Sequence, residues 1–290
     1  MAQDSTSFFL LSVLVRVVTA VGESALPTAA MAIASRQVSP ANEGKAVAAC
    51  ETCFGVGSML GPSIGGLLYD LGGFPLPFAV FGGAQCVVIL VTMVFLREGD
   101  SSYSSLDVEE EEKVTWKHLL SAPGIPVSCL GLMFAGIAWT WCFASLQPFL
   151  AATYQFTPST TGLVFLAFGA AYTVSTPVLG SLTDGGLSPY TAIVLGNLGI
   201  GVALAALAPS PPLRLLLPLH PALPPLCMAL QGVATSATYI GSLVFMLKAA
   251  QRARLPDCER VKGMVASLWI VADCLGGIFG SPLGSLTYDR

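Results

Sequence analysis

The most informative segment of this chain is GVGSMLGPSIGGLLYD, residues 55–70. It is apolar, yet five of its sixteen residues are glycine and one is proline. In a water-soluble helix an interior glycine costs about 1 kcal/mol relative to alanine, and an interior proline about 3 kcal/mol. In a membrane, glycines four residues apart let a neighbouring helix approach closely, and a proline bend is tolerated beside protein or a water-lined cavity. The stretch therefore predicts a close-packed transmembrane helix with a groove at Gly57, Gly61 and Gly65 and a bend at Pro62.

The composition of the whole chain agrees with a membrane protein. Of 290 residues, 54% are hydrophobic and only 10% are charged, whereas a soluble domain carries about 25% charged residues. The two histidines, His118 and His220, lie in or beside loops and form neither a metal-binding spacing nor a nucleophile–base pair. We therefore predict no enzymatic activity, no metal or other cofactor and no nucleic-acid partner, with the lipid bilayer as the surroundings.

About twenty apolar residues span a bilayer as a helix, and eight such runs are present. They are residues 8–35, 46–69, 75–96, 125–150, 161–183, 189–208, 222–247 and 264–287. A secretory signal is the alternative for the first run, but a signal has its positive charge before the apolar block, whereas Arg16 follows it. We therefore predict about eight transmembrane helices.

Positive charge falls on one set of connecting loops. Loops 36–45, 97–124, 184–188 and 248–263 hold ten lysines and arginines, whereas the alternate loops hold only Arg214. Since cytoplasmic loops are enriched in these residues, we predict that the four basic loops face the cytoplasm.

The longest of these loops predicts the division of the chain. It separates an N-terminal bundle of three spans (1–96) from a C-terminal bundle of five (125–290), with an acidic cytoplasmic linker at 97–124. Its run Glu109–Glu112 is typical of a solvated linker; regulation of a partner is the alternative.

The opening stretch recurs near the other end of the chain. GKAVAACETCFGVGSMLGPSIGGLLYD (44–70) aligns with GMVASLWIVADCLGGIFGSPLGSLTYD (263–289) at a shift of 219 residues. Both copies run outward from the predicted cytoplasmic side, and parallel repeats of this kind characterise one large transporter class. The duplication favours a paired moving element over static packing. The repeated ladder consists of Gly57, Gly61 and Gly65 and of Gly276, Gly280 and Gly284.

These residues resemble motifs of the major facilitator superfamily. GVGSMLGPSIGGLL resembles the antiporter motif of its fifth helix, and residues 263–289 resemble the counterpart on the eleventh. RVVTAVGESA (16–25) is similar to the fourth-helix signature, and GSLTD (180–184) to the G-x-L-x-D cytoplasmic gating motif, which makes Asp184 a candidate gate residue. Residues 51–78 are most similar to the vesicular amine transporters, nearest their polyamine branch. The resemblance implies an all-α polytopic membrane protein of two helical bundles.

The resemblance also implies that part of the architecture is absent. The eight spans correspond to helices four to eleven of twelve, so the first three helices and the last are missing, as in a truncated gene model, an isoform or a fragment. The family's seventh helix has an acid before proline, where this chain has Gln147 before Pro148, and its tenth-helix acid falls near Thr235. Neither side chain carries a charge.

Ionisable groups inside the spans are costly in lipid and are candidates for function. Arg16 lies about 12 Å into its span, and Glu23 lies on the same helix face. The two residues are predicted to form a charge couple or a proton-sensitive site. A structural salt bridge, or snorkelling of Arg16, is the alternative. Asp273 lies about 14 Å into the last span, near the midplane where transporter sites occur. We predict that it takes up and releases a proton during transport. Glu51 is a coupling or gate group, or an interfacial carboxylate within reach of Lys45.

The sequence therefore predicts a secondary transporter working by alternating access. The expected reaction is antiport of a small organic cation, a polyamine or monoamine, driven by a proton gradient across a vesicle or other endomembrane. Trp139 and Trp141 would offer aromatic faces to the cation; packing against lipid or neighbouring helices is the alternative. Gln147 and Arg16 favour another reading, a facilitator of a neutral or anionic solute. A transport-dead membrane protein that acts through partner helices is the third.

Overall fold

The computed structural model describes residues 5–36, 38, 42–73, 75–95, 114–208, 220–256 and 259–288. Within these ranges the chain is helical and contains no strand. The helices are α1 (Ser5–Arg36), α2 (Glu43–Gly72), α3 (Pro75–Phe95), α4 (Trp116–Ser121), α5 (Ile125–Tyr154), α6 (Pro158–Asp184), α7 (Pro189–Leu207), α8 (Leu223–Arg252) and α9 (Glu259–Tyr288). The predicted all-α polytopic fold is confirmed.

In the part of the chain that the structure describes, seven helices are long and apolar enough to cross a membrane: α1, α3 and α5 to α9. They match seven of the eight predicted spans. The remaining predicted span, 46–69, is helix α2, which is 30 residues long but is not among the seven. Its glycines and Glu51 lower its hydropathy, although its length is sufficient to span a bilayer.

Side chains on the outer helices expose large apolar groups, as expected in lipid. On α1, Leu10 and Val18 are 61% and 65% exposed, and on α3, Leu90 and Met93 are 63% and 73% exposed. In water such a surface would be a strong aggregation hazard. In a bilayer it is the ordinary contact with acyl chains.

Helix α8 lies at the centre of the described structure. Of its apolar span, 83% is buried, because α6 and α7 pack along it and α5 and α9 contact it as well. The buried face carries hydroxyl and amide groups such as Gln231, Thr235 and Ser236. A polar central helix needs hydrogen-bond partners from its neighbours, and Ser175 of α6 supplies one to Ser236 at 2.7 Å.

The part of the predicted linker nearest the second half is not simply a solvated loop. Residues 116–121 form the short helix α4, which packs against α5. Val114 and Leu119 are 4% and 0% exposed, because the apolar residues of this segment turn toward the start of α5. The acidic run Glu109–Glu112 lies outside the described residues.

Helices from the two predicted halves meet mainly where α2 crosses α6. The crossing is antiparallel: Lys45 of α2 contacts Asp184 at the end of α6, and Met59, further along α2, contacts Gly169, earlier on α6. We call this contact the α2–α6 seam. A second, smaller contact joins α1 to α9.

Candidate functional site

A small cavity lies where α2 meets the second half of the chain. Its volume is about 50 Å³, while a water molecule takes up about 30 Å³ in the liquid. The cavity therefore has room for a small group such as a water molecule or an ammonium group. It is lined by Phe54, Gly55, Trp139, Phe168, Gly169, Tyr172, Thr235, Tyr239 and Asp273.

Asp273 of α9 is the acidic residue on the cavity wall. The Tyr239 hydroxyl of α8 donates a hydrogen bond to its Oδ1 atom. Tyr239 is itself held edge-on against Trp269 at a ring-centroid distance of 5.3 Å, and the Trp269 indole donates to the Ser242 hydroxyl at 2.9 Å. This network of contacts fixes the position of the carboxylate.

Glycine lets the backbone of α5 approach Asp273 closely. A Cβ atom added at Gly136 would lie 2.7 Å from the Asp273 carbonyl oxygen and 2.8 Å from its Oδ1 atom. Real Cβ atoms essentially never come this close. Any larger residue at Gly136 would therefore displace the carboxylate or α9.

Glu51 lies on α2, on the other side of the seam. It is 3% exposed, and the Tyr172 hydroxyl of α6 donates a hydrogen bond to its Oε2 atom. Tyr172 meets Tyr239 edge-on at 6.5 Å between ring centroids. Glu51, Tyr172, Tyr239 and Asp273 therefore form one continuous series from α2 to α9, which we call the carboxylate–tyrosine chain.

Aromatic rings form the rest of the cavity wall. Trp139 of α5 lies 4.2 Å from Phe168 of α6 between ring centroids, and Phe168 stacks on Tyr172 at 6.1 Å with an interplanar angle of 15°. Aromatic faces beside a carboxylate attract organic cations, because the ring quadrupole and the charge act together. The wall is thus suited to an ammonium group.

The second glycine ladder packs against α5 in a parallel crossing. At Gly276, an added Cβ atom would lie 2.9 Å from the Ile137 amide nitrogen. At Gly280 it would lie 2.5 Å from the Ile137 carbonyl oxygen, and at Gly284 it would lie 2.9 Å from the Trp141 carbonyl oxygen. Three successive turns of α9 therefore contact backbone atoms of α5. A neighbouring helix thus lies directly against this face of α9, and the role of the ladder in a movement stays a prediction.

The first ladder has no such neighbour among the described residues. Nothing lies within 4 Å of a Cβ atom added at Gly57 or Gly61, and Gly65 meets only a Phe81 ring carbon at 3.8 Å. The prediction of a helix seated on this face is not met by the described residues, since none of the described helices packs on α2 as α5 packs on α9. The side chain of Pro62 lies outside the described residues.

The predicted cytoplasmic end of the seam is held by Asp184. Its Oδ2 atom accepts a hydrogen bond of 2.9 Å from the Lys45 backbone amide, 139 positions earlier in the chain. Lys45 lies in the first turn of α2, where backbone N–H groups lack partners within the helix and the helix dipole favours an anion. Asp184 thus joins the two halves at the position expected of a gate.

The comparison with known families matches both halves of the chain. The sequence model of the Major Facilitator Superfamily aligns with residues 1–146 and again with residues 128–290. The chain belongs to the major facilitator superfamily. This membership confirms the resemblance inferred from the glycine ladders, and it identifies a family of transporters rather than of enzymes.

Individual relatives in the superfamily agree. The chain is 27% identical over 293 residues to the human MFS-type transporter SLC18B1, a match that covers 99% of this chain and 61% of the relative. It is 29% identical over 289 residues to the rat SLC18B1 protein, covering 98% and 60%. Over 178 residues it is 25% identical to the multi-drug resistance efflux pump PmrA of Streptococcus pneumoniae, covering 59% and 43%. The similarity to SLC18B1 confirms the predicted likeness to the vesicular amine transporters. The chain spans about three fifths of the length of the SLC18B1 relatives.

The structure brings together only some of the predicted site residues of this superfamily member. Asp273 and Trp139 line the cavity, and Glu51 is joined to it through Tyr172. Trp141 lies instead on the α5–α9 contact, where its indole donates to the Thr287 hydroxyl at 3.1 Å.

The other candidates lie away from the cavity. Gln147 of α5 and Arg16 of α1 are exposed, and neither is on the cavity wall. The side chain of Glu23 lies outside the described residues, so the predicted pairing of Arg16 with Glu23 stays a prediction.

Sequence reasoning missed Tyr172, Tyr239 and Phe168. A signal for the two tyrosines is present in the sequence: each sits inside a predicted span, within the segments AAYTVST and SATYIGS. A tyrosine surrounded by small and hydroxyl-bearing residues in a span marks a helix face turned to protein, because a phenolic hydroxyl in lipid needs a partner.

Proposed function

We propose that this chain is a secondary transporter of the major facilitator superfamily that exchanges a small organic cation, a polyamine or monoamine, for protons. The observation that carries the proposal is the position of Asp273 beside Trp139, Phe168 and Tyr172 at the meeting point of the two halves. A carboxylate beside aromatic rings is the ordinary recognition chemistry for an ammonium group.

In the proposed alternating-access cycle, the cavity is the site at which the cation binds. The α2–α6 seam closes the predicted cytoplasmic end, from Asp184 inward past Tyr172 to Gly169. If the two halves rock about the cavity, opening this seam exposes Asp273 to the cytoplasm and closing it exposes Asp273 to the other side. A proton and an ammonium group compete for the same carboxylate, which links their movements. A vesicle or other endomembrane with an acidic lumen is the proposed location.

The neutral or anionic substrate finds less support in the cavity. Arg16 and Gln147, which favoured that hypothesis, do not line it, and its charged wall residue is an acid. A cation is therefore the substrate class that the geometry favours.

The test is uptake of radiolabelled spermidine and serotonin into proteoliposomes, driven by an imposed pH gradient. We expect accumulation of at least one of the two by the wild-type chain and its loss in Asp273→Asn, which keeps the shape of the side chain and removes its charge. Glu109→Gln, in the acidic linker, is the matched control and should transport normally. Equal uptake by Asp273→Asn and the wild type would exclude Asp273 as the cation-binding group, and absence of uptake by the wild type would exclude the function.

The open face of α2 favours a second function, in which the chain acts through a partner helix. Gly57 and Gly61 have nothing within 4 Å among the described residues, although their counterparts on α9 hold α5. A transmembrane helix with the role of α5 fits this face. Placing leucine at Gly61 would block such a partner, so co-purification of a membrane partner by the wild type and not by Gly61→Leu, without cation uptake, would support this function over transport.

A further inference from the structure

We infer that Glu51 and Tyr172 form a proton-operated latch on the α2–α6 seam, which closes the predicted cytoplasmic end when Glu51 carries a proton and releases it when Glu51 is ionised. Asp273 has the separate task of facing the transported cation. The inference rests on the proposed alternation of the two halves, and it assigns the control of that alternation to a second acid.

The two acids occupy different positions relative to the cavity. Asp273 lines the cavity wall, whereas Glu51 does not; the α2 residues on the wall are Phe54 and Gly55, about one turn further along the helix. Tyr172 lines the cavity and also donates its hydroxyl to Glu51. Glu51 therefore lies behind the Tyr172 ring, shielded from a ligand beside Asp273 and in contact with the seam.

The Glu51–Tyr172 hydrogen bond lies within the tightest part of the seam. A Cβ atom added at Gly55 would lie 2.6 Å from the Thr173 hydroxyl, and one added at Gly169 would lie 3.0 Å from the Met59 Cβ atom. These contacts lie on α2 and α6, one from each half. The halves cannot separate here without breaking the hydrogen bond, so the state of Glu51 bears directly on the separation.

Among the described residues, none of the groups that interact with Glu51 carries a positive charge. Tyr172 of α6, Tyr239 of α8 and Asp273 of α9 interact with it, and Cys50 is its neighbour on α2. Two further helices, α3 and α1, pack against α2. Helix α3 carries no charged residue. On α1, Arg16 is exposed, and the side chains of Glu23 and Arg36 lie outside the described residues. Lys45 of α2 is exposed, with its Nζ atom 3.1 Å from Asn42 Oδ1.

An ionised Glu51 therefore lacks a described counter-charge while the seam is closed. An uncompensated carboxylate in an apolar interior is costly, and a second carboxylate nearby adds to the cost. Protonation removes this cost, and the neutral carboxyl still accepts the Tyr172 hydrogen bond. Opening the seam relieves the cost of ionisation, because it admits water to Glu51 from the predicted cytoplasmic end, where Lys45 lies exposed six residues earlier and about 9 Å along the helix.

The latch is tested by cross-linking across the seam as a function of pH. In the full chain with its eight native cysteines replaced by alanine, Met59→Cys and Gly169→Cys form a reporter pair, since their Cβ atoms lie near the roughly 3.5–4.5 Å that a disulfide spans. Thr140→Cys and Gly277→Cys form the control pair on the α5–α9 contact, where an added Cβ at Gly277 lies 3.5 Å from the Thr140 Cγ2 atom, an ordinary contact distance. The ratio of the two oxidation rates cancels the dependence of thiol reactivity on pH.

With Glu51 present, we expect this ratio to be high in acid and to fall by up to about tenfold per pH unit on the alkaline side, because one proton is involved. Glu51→Gln should keep the ratio high at every pH, since the amide oxygen still accepts from Tyr172 but cannot ionise. Tyr172→Phe should lower the ratio in acid, whereas Tyr190→Phe, at an exposed tyrosine of α7, should not.

The outcomes separate the latch from the proposed function. A flat ratio in the wild type, or a Glu51→Gln variant that keeps the wild-type slope, would overturn the latch. A lowered oxidation-rate ratio in acid for Tyr190→Phe as well as for Tyr172→Phe would also overturn the latch, since the effect would not be specific to the seam. A ratio that still depends on pH in Asp273→Asn, with its midpoint moved to lower pH because one nearby carboxylate is gone, supports the separation of the two acids whether or not the proteoliposomes accumulate a cation. Loss of the pH dependence in Asp273→Asn would overturn it.

Discussion

Replacing Gly280 by alanine is expected to destabilise the chain, whereas the same change at Gly61 is not. The two residues occupy equivalent positions in the repeat, each in the middle of its ladder. At Gly280 the new Cβ atom would lie 2.5 Å from the Ile137 carbonyl oxygen and would also meet the Thr140 hydroxyl. At Gly61 it would meet no described atom within 4 Å.

The size of the effect follows from these distances. Ordinary contact begins at 3.4 Å, so α5 and α9 would have to separate by about 1 Å, a gap that forfeits dispersion contacts along the crossing. The clash is with backbone, and no side-chain rotation relieves it. Overpacking of this kind costs about 1–3 kcal/mol, offset by about 1 kcal/mol because alanine is the better helix former. The net loss at Gly280 is about 0–2 kcal/mol, and Gly61→Ala gains up to about 1 kcal/mol.

The assay is thermal unfolding of the purified chain in lipid nanodiscs, followed by helical circular dichroism. One kcal/mol shifts the midpoint of a large domain by about 2–4 °C, so Gly280→Ala should melt up to about 8 °C lower and Gly61→Ala slightly higher. Gly201→Ala, on α7 with nothing within 4 Å, controls for helix propensity alone. Equal midpoints for Gly280→Ala and Gly201→Ala, or a Gly61→Ala variant that melts lowest, would refute the reasoning.

Three further predictions concern the cavity and the seam. Trp139→Leu should raise KM for the transported cation about 2- to 30-fold, the equivalent of a cation–π contact of about 0.5–2 kcal/mol, whereas Trp141→Leu should leave KM unchanged; uptake kinetics in proteoliposomes decide. Gly136→Ala should displace Asp273 and weaken cation binding, measured by isothermal titration calorimetry, and unchanged affinity would contradict the close contact. Asp184→Ala should cost about 1 kcal/mol through the lost interaction with the start of α2, seen as slower cross-linking of the Met59–Gly169 reporter pair; an unchanged rate would argue against a cross-seam role.

The sequence predicted those features that depend on spacing along one helix. Glycines at i, i+4 and i+8 lie on one face whatever the rest of the chain does, so the contact of Gly276, Gly280 and Gly284 with a neighbouring helix was predictable. So was the place of Asp184, which follows from a short motif at a helix end. Hydropathy alone located seven of the spans, because the bilayer imposes a length on every apolar helix.

The cavity was only half predictable, because it depends on which helix faces meet. Asp273 was identified as an acid in a span, but its partner Tyr239 lies 34 positions away on another helix. Glu51 and Tyr172 lie 121 positions apart, and no periodicity relates them. Helix α8 illustrates the reason, because protein surrounds it on most sides. A hydrophobic pattern normally shows which side of a helix faces the core, but on a helix that is buried all round it carries little information.

The glycine ladder of α9 does not lie on the contact that a rocking motion of the two halves would open. The ladder of α9 packs against α5, and both helices belong to the second half, so in a rocking motion of two rigid halves this contact stays closed. The seam between the halves uses Gly55 and Gly169 instead, which lie outside both ladders and against Thr173 and Met59. A ladder of three glycines has backbone contacts on successive turns and resists sliding, whereas a seam of isolated glycines has few such contacts to break. Close backbone packing therefore holds the second half together. Under the proposed latch, the polar contacts of Glu51 and Asp184 govern the separation of the two halves.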